Sequence, residues 1–156
     1  MTPAINLAKQ QAIVHWVHQY KHDPATDSYG LEAAEKLDVD AEKVFKTLVV
    51  QLETKELVVA VIPVCHKLSM KSLAKSCNAK KAVMAPQQAV ERATGYILGG
   101  VSPLGQKKRL RTLIDESANA FNTIYVSAGK RGLEIELAAT DLRRLINGKF
   151  AVLTCS

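Results

Sequence analysis

The chain contains 156 residues, of which 47% are apolar and 23% are charged. This composition is typical of a globular protein and argues against intrinsic disorder, and the length suits one compact domain over residues 1–156. No apolar segment approaches the roughly 20 residues of a membrane-spanning helix, so we expect no membrane contact, and the N-terminus predicts no secretory signal.

The net charge of +6 is unevenly distributed along the chain. Residues 1–60 contain 6 Lys/Arg and 9 Asp/Glu residues, whereas residues 61–156 contain 15 and 6. A one-sided positive field favours a polyanionic partner such as nucleic acid, although a surface that only aids solubility has the same composition. The cysteines Cys65, Cys77 and Cys155 are odd in number and form no C-x-x-C motif, which favours a reducing, cytoplasmic location.

Helical and extended patterns alternate irregularly along the chain. Thr2 followed by Pro3 is typical of a helix N-terminus, and Gly95 is typical of the residue that follows a helix. The short link between two β-branched runs predicts an antiparallel hairpin. Thr140 and Asp141 predict the cap of a last helix. In chain order, we predict helix 2–12, strand 14–20, a polar loop 22–29, helix 31–37, strands 45–53 and 57–64, helix 68–77, strand 81–85, helix 86–93, strands 96–98, 109–114, 123–126 and 133–137, a helix ending near 148, and strand 150–154.

This order lacks the regular β-α-β alternation of a doubly wound parallel sheet. Hairpins are instead mixed with helical crossovers. We therefore predict an α+β fold with a mixed, partly closed, barrel-like β-sheet and peripheral helices.

Residues 99–105, with the sequence GGVSPLG, combine three glycines with one proline and are followed by a basic run. Successive backbone N–H groups in such a loop can bind an anion or a carbonyl oxygen, but a tight link between two strands is the alternative. The loop is not a P-loop, because Gln106 and Lys107 stand at the Lys and Ser/Thr positions of that motif.

Three histidines, His15, His18 and His22, would share one face of a helix and could then bind zinc together with His66. Their β-branched and aromatic neighbours favour an extended segment, in which His15 and His18 point to opposite faces. The sequence therefore predicts no metal site, and nothing in it indicates a cofactor.

Lys46 begins an apolar strand, where a lysine often protects an exposed sheet edge from aggregation. Taken alone, this pattern favours that protective role over a lysine that points into a pocket. Tyr20 and Tyr29 flank the polar loop, and they are either ordinary half-buried tyrosines or the lid of a pocket.

Six short motifs occur in a fixed order along nearly the whole chain. Together they resemble the YbaK-type branch of the prolyl-tRNA synthetase editing-domain family, from residue 1 to about residue 148. Each motif is weak alone, but the ordered set is specific. The motifs are Tyr20-x-His22-Asp23, Gly30-x-Glu32-Ala33-Ala34, Phe45-Lys46-Thr47-Leu48, Thr94-Gly95-Tyr96, the loop 99–105, and Ile124-Tyr125-Val126-Ser127 with Gly129-Lys130-Arg131-Gly132.

The resemblance implies a free-standing deacylase that clears mischarged Cys-tRNA(Pro) and also acts on Cys-tRNA(Cys). It implies that the substrate's own thiol attacks its carbonyl carbon and leaves a cyclic thiolactone, a lyase-type cleavage, with hydrolysis as the alternative. Aminoacyl-tRNA is the expected partner, together with prolyl-tRNA synthetase bound to the same tRNA. Two other functions stay open: a deacylase for another small amino acid, such as one acting on Ala-tRNA(Pro), and a non-catalytic tRNA- or synthetase-binding module.

The resemblance also assigns site residues. Tyr29 stands where the family is expected to have phenylalanine, and Ala128 stands where glycine is expected. Matching positions imply catalytic roles for Lys46, Gly99, Gly100, Val101, Ser102 and Pro103, and substrate-binding roles for Tyr20, Tyr29, Thr47 and Ser127.

Overall fold

The computed structural model describes residues 1–26 and 28–155, so Asp27 of the predicted polar loop lies outside the described residues. Within these ranges the chain forms five α-helices and eight β-strands. Short 3-10 helices at Ala41–Lys43 and Glu116–Ala120 precede the second strand and follow the fifth. The helices are α1 Pro3–Gln10, α2 Tyr29–Lys36, α3 Met70–Ser76, α4 Gln87–Thr94 and α5 Ala139–Ile146. The strands are β1 His15–Gln19, β2 Phe45–Leu52, β3 Leu57–Pro63, β4 Ala82–Met84, β5 Arg111–Asp115, β6 Ile124–Lys130, β7 Leu133–Leu137 and β8 Lys149–Ala151.

The strands form two sheets. A five-stranded sheet has the order β4-β2-β3-β5-β8, with antiparallel pairs around β2 and parallel pairs around β5. A three-stranded antiparallel sheet has the order β1-β7-β6. The predicted mixed α+β fold is confirmed, but the described strands do not close into a barrel. Among residues 1–26 and 28–155, a parallel bridge between Val44 and Tyr125 links the start of β2 to the smaller sheet.

The β2–β3 hairpin forms the centre of the core. The antiparallel pairing predicted from the short link is confirmed, and its register places Phe45 opposite Pro63 and Gln51 opposite Leu57. Alternate residues of β3 pack into two different apolar clusters, one containing Val59 and the other Ile62. Burial on both faces explains why β3 is an unbroken apolar run rather than an alternating one.

Local interactions set the start of α1 and the end of α4 at the predicted residues Thr2 and Gly95. Thr2 Oγ1 accepts a hydrogen bond from the N–H of Ile5, with Pro3 in the first turn of α1. Helix α4 ends at Gly95, whose φ of +81° places it in the left-handed region that glycine adopts without strain.

Two local predictions are wrong. The predicted strand 96–98 is a turn, because Tyr96 is drawn into the core, where its hydroxyl donates to the Leu104 carbonyl oxygen at 2.6 Å. The last helix begins at Ala139 without a side-chain cap, ahead of the predicted Thr140-Asp141 cap. Burial of Ala139 and Leu142 sets its start.

None of the helices within residues 1–26 and 28–155 combines the length and the apolar character that crossing a membrane requires.

Candidate functional site

A cavity of about 330 Å³ opens between α2, the start of β2 and the loop that follows α4. Strands β6 and β7 of the smaller sheet provide its far wall. The cavity therefore lies where the two sheets meet, and segments far apart in sequence converge on it. Most of the predicted site residues line it, namely Tyr20, Tyr29, Lys46, Thr47, Gly99, Val101 and Ser127.

Lys46 is the second residue of β2 and pairs with Ile62 of β3. Its side chain is half-buried and forms no ion pair with a carboxylate in the described part of the chain. Burial lowers the pKa of Lys46 below its ordinary value, because removing an ammonium group from water disfavours its charged form. An ammonium group placed this way is suited to neutralise an anion or a developing oxyanion in the cavity.

Thr47, the next residue, has a buried Oγ1 with no hydrogen-bond partner among residues 1–26 and 28–155. Buried hydroxyl groups are nearly always paired, and leaving one unpaired costs about 1–3 kcal/mol. Because Thr47 lines the cavity, a bound molecule could supply the missing partner.

Gly99 packs too closely against Tyr29 and Arg131 to leave room for a side chain of its own. Its φ is +90°, and a Cβ built there would lie 2.4 Å from Arg131 Nε and 2.7 Å from Tyr29 Cε2. Gly99 and Val101 both line the cavity, and their N–H groups donate to no acceptor in the described residues. These two N–H groups are therefore the donors that the loop offers to a ligand.

The other three predicted loop residues lie outside the cavity lining. The N–H of Gly100 donates to the Ile97 carbonyl oxygen at 3.0 Å. Ser102 is fully buried, and its Oγ accepts the N–H of Leu104 at 3.2 Å. Pro103 faces a second cavity, on the side of the loop towards α1 and α5. These residues fix the shape of the loop rather than contribute to the cavity surface.

The Arg131 side chain is exposed and lies beside the cavity, where it contacts Tyr29 and Leu98. Its guanidinium carbon lies 4.4 Å from the centre of the Tyr29 ring, and its Nη2 donates to the Leu98 carbonyl oxygen at 2.7 Å. Tyr29 and Leu98 both line the cavity. Arg131 thus joins α2 to the loop that follows α4. A planar guanidinium group that stacks and donates at once is specific to arginine.

Glu32 links the motif Tyr20-x-His22-Asp23 to the motif Gly30-x-Glu32 in the structure. Its carboxylate accepts hydrogen bonds from His22 Nδ1 at 2.7 Å, from the Asp23 N–H at 2.7 Å and from Lys36 Nζ at 2.9 Å. Burial raises the pKa of Glu32, but these bonds outweigh it and hold the pKa at about 2. The segment after Tyr20 is therefore tied to α2, which carries Tyr29.

A shallower basic concavity adjoins the cavity. It is lined by Tyr20, which both share, and by Lys21, Lys130 and Arg131. Cationic side chains are therefore concentrated around the shared Tyr20, next to the cavity.

The model of the family described as "Aminoacyl-tRNA editing domain" matches residues 23–145 of this chain, which include most of the cavity. The chain belongs to this family. Within the editing-domain family, a protein of Enterococcus faecalis (strain ATCC 700802 / V583) is 40% identical over 154 residues. The match covers 98% of this chain and 93% of that protein, which is provisionally named Cys-tRNA(Pro)/Cys-tRNA(Cys) deacylase EbsC.

Solved structures share the editing-domain fold. The crystal structure of a provisionally assigned trans-editing enzyme for prolyl tRNA synthetase superimposes with a TM-score of 0.86 and 18% identity, covering 99% of this chain and 96% of that chain. The hypothetical protein APE2540 superimposes with a TM-score of 0.88 and 20% identity, covering 98% and 99%. At these identities the similarity concerns the fold.

Sequence reasoning missed one ionisable residue of this editing-domain cavity, Glu134 on β7. It is 7% exposed, and burial raises its pKa to about 8. Burial, and then the charge of Glu134, raise the pKa of Tyr20 to about 12. A glutamate inside the apolar pattern LEIEL was the available signal, since charged residues are rarely buried without a functional or pairing reason.

The turn after Ser127 accommodates the alanine where the family is expected to have glycine. Ser127 Oγ accepts the N–H of Gly129 at 3.1 Å, and the extra residues form a β-bulge between Ser127 and Lys130. Gly129, with φ +104°, takes the left-handed position. Ala128 keeps a negative φ and is fully buried, so it causes no backbone strain.

The histidines examined for zinc binding are separated by their own partners. His18 pairs with Glu136 at 2.9 Å, and His22 pairs with Glu32. His15 Nδ1 lies 2.9 Å from the Ile13 carbonyl oxygen. The described residues thus place these three side chains in separate polar contacts.

Proposed function

We propose that this chain is a trans-editing deacylase that removes cysteine from mischarged Cys-tRNA(Pro) and also from Cys-tRNA(Cys). Membership in the editing-domain family and the name of the E. faecalis relative support this proposal. One structural observation carries it. One cavity is lined by Lys46, Thr47, Gly99 and Val101. In the described residues, the side chains of Lys46 and Thr47 have no hydrogen-bond or ion-pair partner, and the N–H groups of Gly99 and Val101 have no acceptor.

The chemistry requires little from the protein. The substrate is an ester between the cysteine carboxyl group and the 3′-terminal ribose of the tRNA. The substrate's sulfur attacks its own carbonyl carbon, a C–S bond forms, the C–O bond to the ribose breaks, and the thiol proton ends on the ribose oxygen. The products are free tRNA and a cyclic thiolactone. No protein nucleophile is needed, so position and electrostatics are the protein's contribution.

In this proposal, each polar group of the cavity has a separate task. The N–H groups of Gly99 and Val101 hold the ester carbonyl, and the Lys46 ammonium stabilises the oxyanion that develops on it. Glu134 lies where a buried carboxyl group can pair with the substrate's α-ammonium group, whose charge favours ionisation of the carboxyl. The Thr47 hydroxyl group donates a hydrogen bond to the aminoacyl group or accepts one from it.

The basic concavity beside the cavity suits the RNA part of the substrate. Lys21, Lys130 and Arg131 surround the Tyr20 edge that the two depressions share. We propose that the phosphates next to the terminal ribose bind there while the aminoacyl group enters the cavity. Because this surface is small, we further propose that prolyl-tRNA synthetase supplies recognition of the rest of the tRNA, that residues 1–156 act as one domain, and that the protein acts in the cytoplasm.

Deacylation of a matched substrate panel tests the proposal. The purified full-length chain is assayed on Cys-tRNA(Pro), Cys-tRNA(Cys), Ala-tRNA(Pro) and Pro-tRNA(Pro), with and without prolyl-tRNA synthetase. We expect loss of the cysteinyl ester only. Equal cleavage of the alanyl ester would contradict the thiol mechanism, and salt-sensitive tRNA binding without ester loss would indicate a non-catalytic module.

Methylation of the substrate's sulfur distinguishes attack by the thiol from simple selection of the substrate by size. Cys-tRNA(Pro) methylated on sulfur keeps nearly the same size but has lost its nucleophile. We expect no deacylation of this substrate and formation of thiolactone from the unmodified one, detected by mass spectrometry. Release of S-methylcysteine at the normal rate would show that water, not the thiol, is the nucleophile.

A further inference from the structure

Three side chains with different donor atoms meet outside the cavity. Glu42 lies in the 3-10 helix before β2, and Cys65 and His66 lie in the turn after β3. One donor atom from each, a carboxylate oxygen, the thiol sulfur and an imidazole nitrogen, can be chosen so that all three lie within 4.8 Å of one another. None of the three residues belongs to the cavity lining.

Backbone hydrogen bonds hold the two segments that carry these side chains. The N–H of Val64 donates to the Val44 carbonyl oxygen at 2.8 Å, which joins the turn to the start of β2. The N–H of His66 donates to the Pro63 carbonyl oxygen at 3.1 Å, and Asp40 Oδ1 accepts the N–H of Glu42 at 2.9 Å. The backbone positions of the two segments are therefore fixed relative to each other, which keeps the three side chains near one another.

The imidazole and carboxylate donors are spaced nearly as in a tetrahedral metal site. His66 Nε2 lies 2.9 Å from each carboxylate oxygen of Glu42. Zinc bonds of about 2.0–2.1 Å to nitrogen and oxygen and about 2.3 Å to sulfur place tetrahedral ligand atoms roughly 3.3–3.6 Å apart. The side chains of His66 and Glu42 are 38% and 46% exposed, so they have freedom to rearrange around an ion.

We propose that Glu42, Cys65 and His66 bind a divalent transition-metal ion of the zinc class. Thiolate and imidazole ligands favour Zn²⁺, Co²⁺ or a similar ion over Mg²⁺ or Ca²⁺, which prefer oxygen ligands. Solvent completes the fourth position, because Cys65 is exposed. Asp40 adds negative charge beside the cluster, and the Lys46 ammonium group is near enough to Cys65 for the two groups to interact electrostatically.

The proposed ion lies next to a wall of the cavity without entering it. Cys65 directly follows Val64, which lines the cavity and packs against Gly30 of α2, where an added Cβ would lie 2.2 Å from Val64 Cγ1. A metal ion would thus fix the turn that supports this wall. The site itself does not depend on the proposed deacylase activity.

Titration of the reduced full-length protein with Co²⁺ tests the site, because cobalt bound to thiolate absorbs in the near ultraviolet and tetrahedral cobalt absorbs in the visible. We expect both bands, saturating at one equivalent, and displacement of Co²⁺ by one equivalent of Zn²⁺. Cys65→Ser should abolish the thiolate band. Even residues that only support metal ligands change affinity by about 10–100-fold, so His66→Gln and Glu42→Gln should each weaken binding at least tenfold.

Cys155→Ser is the matched control, since Cys155 is the other exposed thiol. It should leave both bands and the stoichiometry unchanged. Absence of the thiolate band in the wild type, its persistence in Cys65→Ser, or its loss in Cys155→Ser would each overturn the proposal. Circular dichroism of the metal-free variants, which should match the wild type, separates loss of a ligand from loss of the fold.

Discussion

The guanidinium group of Arg131 stacks on the ring of Tyr29, 4.4 Å from the ring centre, above the position of Gly99. This contact joins the turn between β6 and β7 to the first residue of α2. It thereby places a cation in the basic concavity that adjoins the cavity at Tyr20, where the RNA end of the proposed substrate would bind.

Arg131→Ala should lower kcat/KM for Cys-tRNA(Pro) by about 2–5-fold, as expected from the roughly 0.5–1 kcal/mol of a cation–π contact at an exposed site. Steady-state deacylation measures the change. Arg131→Lys keeps the charge but loses the planar stack, and it should give an intermediate value. The control Arg92→Ala removes an equal charge from the exposed face of α4 and should leave kcat/KM unchanged. Equal losses in the Arg131 and Arg92 variants would show that only overall charge matters.

Gly99→Ala should remove most activity while the protein still folds. The new methyl group would meet Arg131 and Tyr29 at less than 3 Å, and alanine at φ +90° adds about 1–2 kcal/mol of backbone strain. Deacylation rates and urea denaturation measure the two effects separately. Gly95→Ala is the matched control, because Gly95 has φ +81° but its nearest neighbour lies at 3.5 Å. It should lose similar stability and keep its activity. Full activity of Gly99→Ala would remove the loop from the proposed site.

Lys46→Ala should reduce kcat by about 10²–10³-fold, the usual effect of removing one group that stabilises an oxyanion. Lys43→Ala is its control, since Lys43 lies nearby on Tyr125 but outside the cavity lining. Single-turnover deacylation is the measurement. A normal rate for Lys46→Ala would exclude its catalytic role.

The rate should also depend on pH through Lys46. Burial lowers its pKa below the ordinary 10.5, so the charged form, and with it the rate, should decline as pH rises through this lowered pKa. Lys46→Arg keeps its charge at higher pH and should lose the decline, at a reduced overall rate. A decline that persists unchanged in Lys46→Arg would assign it to another group.

Glu134 should make the protein less stable at alkaline pH. Its folded pKa of about 8 exceeds the unfolded value of 4.5, so the stability that its neutral form provides is complete below 4.5 and is lost as pH rises through 8. The loss amounts to about 1.4 kcal/mol for each unit between the two pKa values. Glu134→Gln cannot ionise and should remove this dependence. Urea denaturation of both proteins between about pH 4 and about pH 9 measures it. Parallel profiles would show that Glu134 is already ionised in the folded protein.

Local sequence pattern was sufficient for most elements because their causes are local. The β2–β3 hairpin follows from two apolar, β-branched runs joined by a short link, and the end of α4 follows from Gly95. The resemblance supplied Lys46, Thr47, Gly99 and the tyrosines as candidate site residues, and the structure brings them to one cavity. Their catalytic and binding roles stay predictions.

The remaining features depend on contacts between residues distant in sequence, which no local pattern contains. Tyr96 does not lie in the predicted strand, because its hydroxyl donates a hydrogen bond to the Leu104 carbonyl oxygen in the core. Glu134 is a cavity residue because β7 lies beside the segment that carries Tyr20. The same holds for Glu42, which is 24 residues from His66 along the chain yet 2.9 Å from it in space. The sequence by itself determined which segments are helical, extended or turning, because backbone φ/ψ preferences and the spacing of apolar residues depend on residues that are close together along the chain. Only the tertiary structure decided which polar groups share a cavity, because that depends on how the sheets and loops pack against one another.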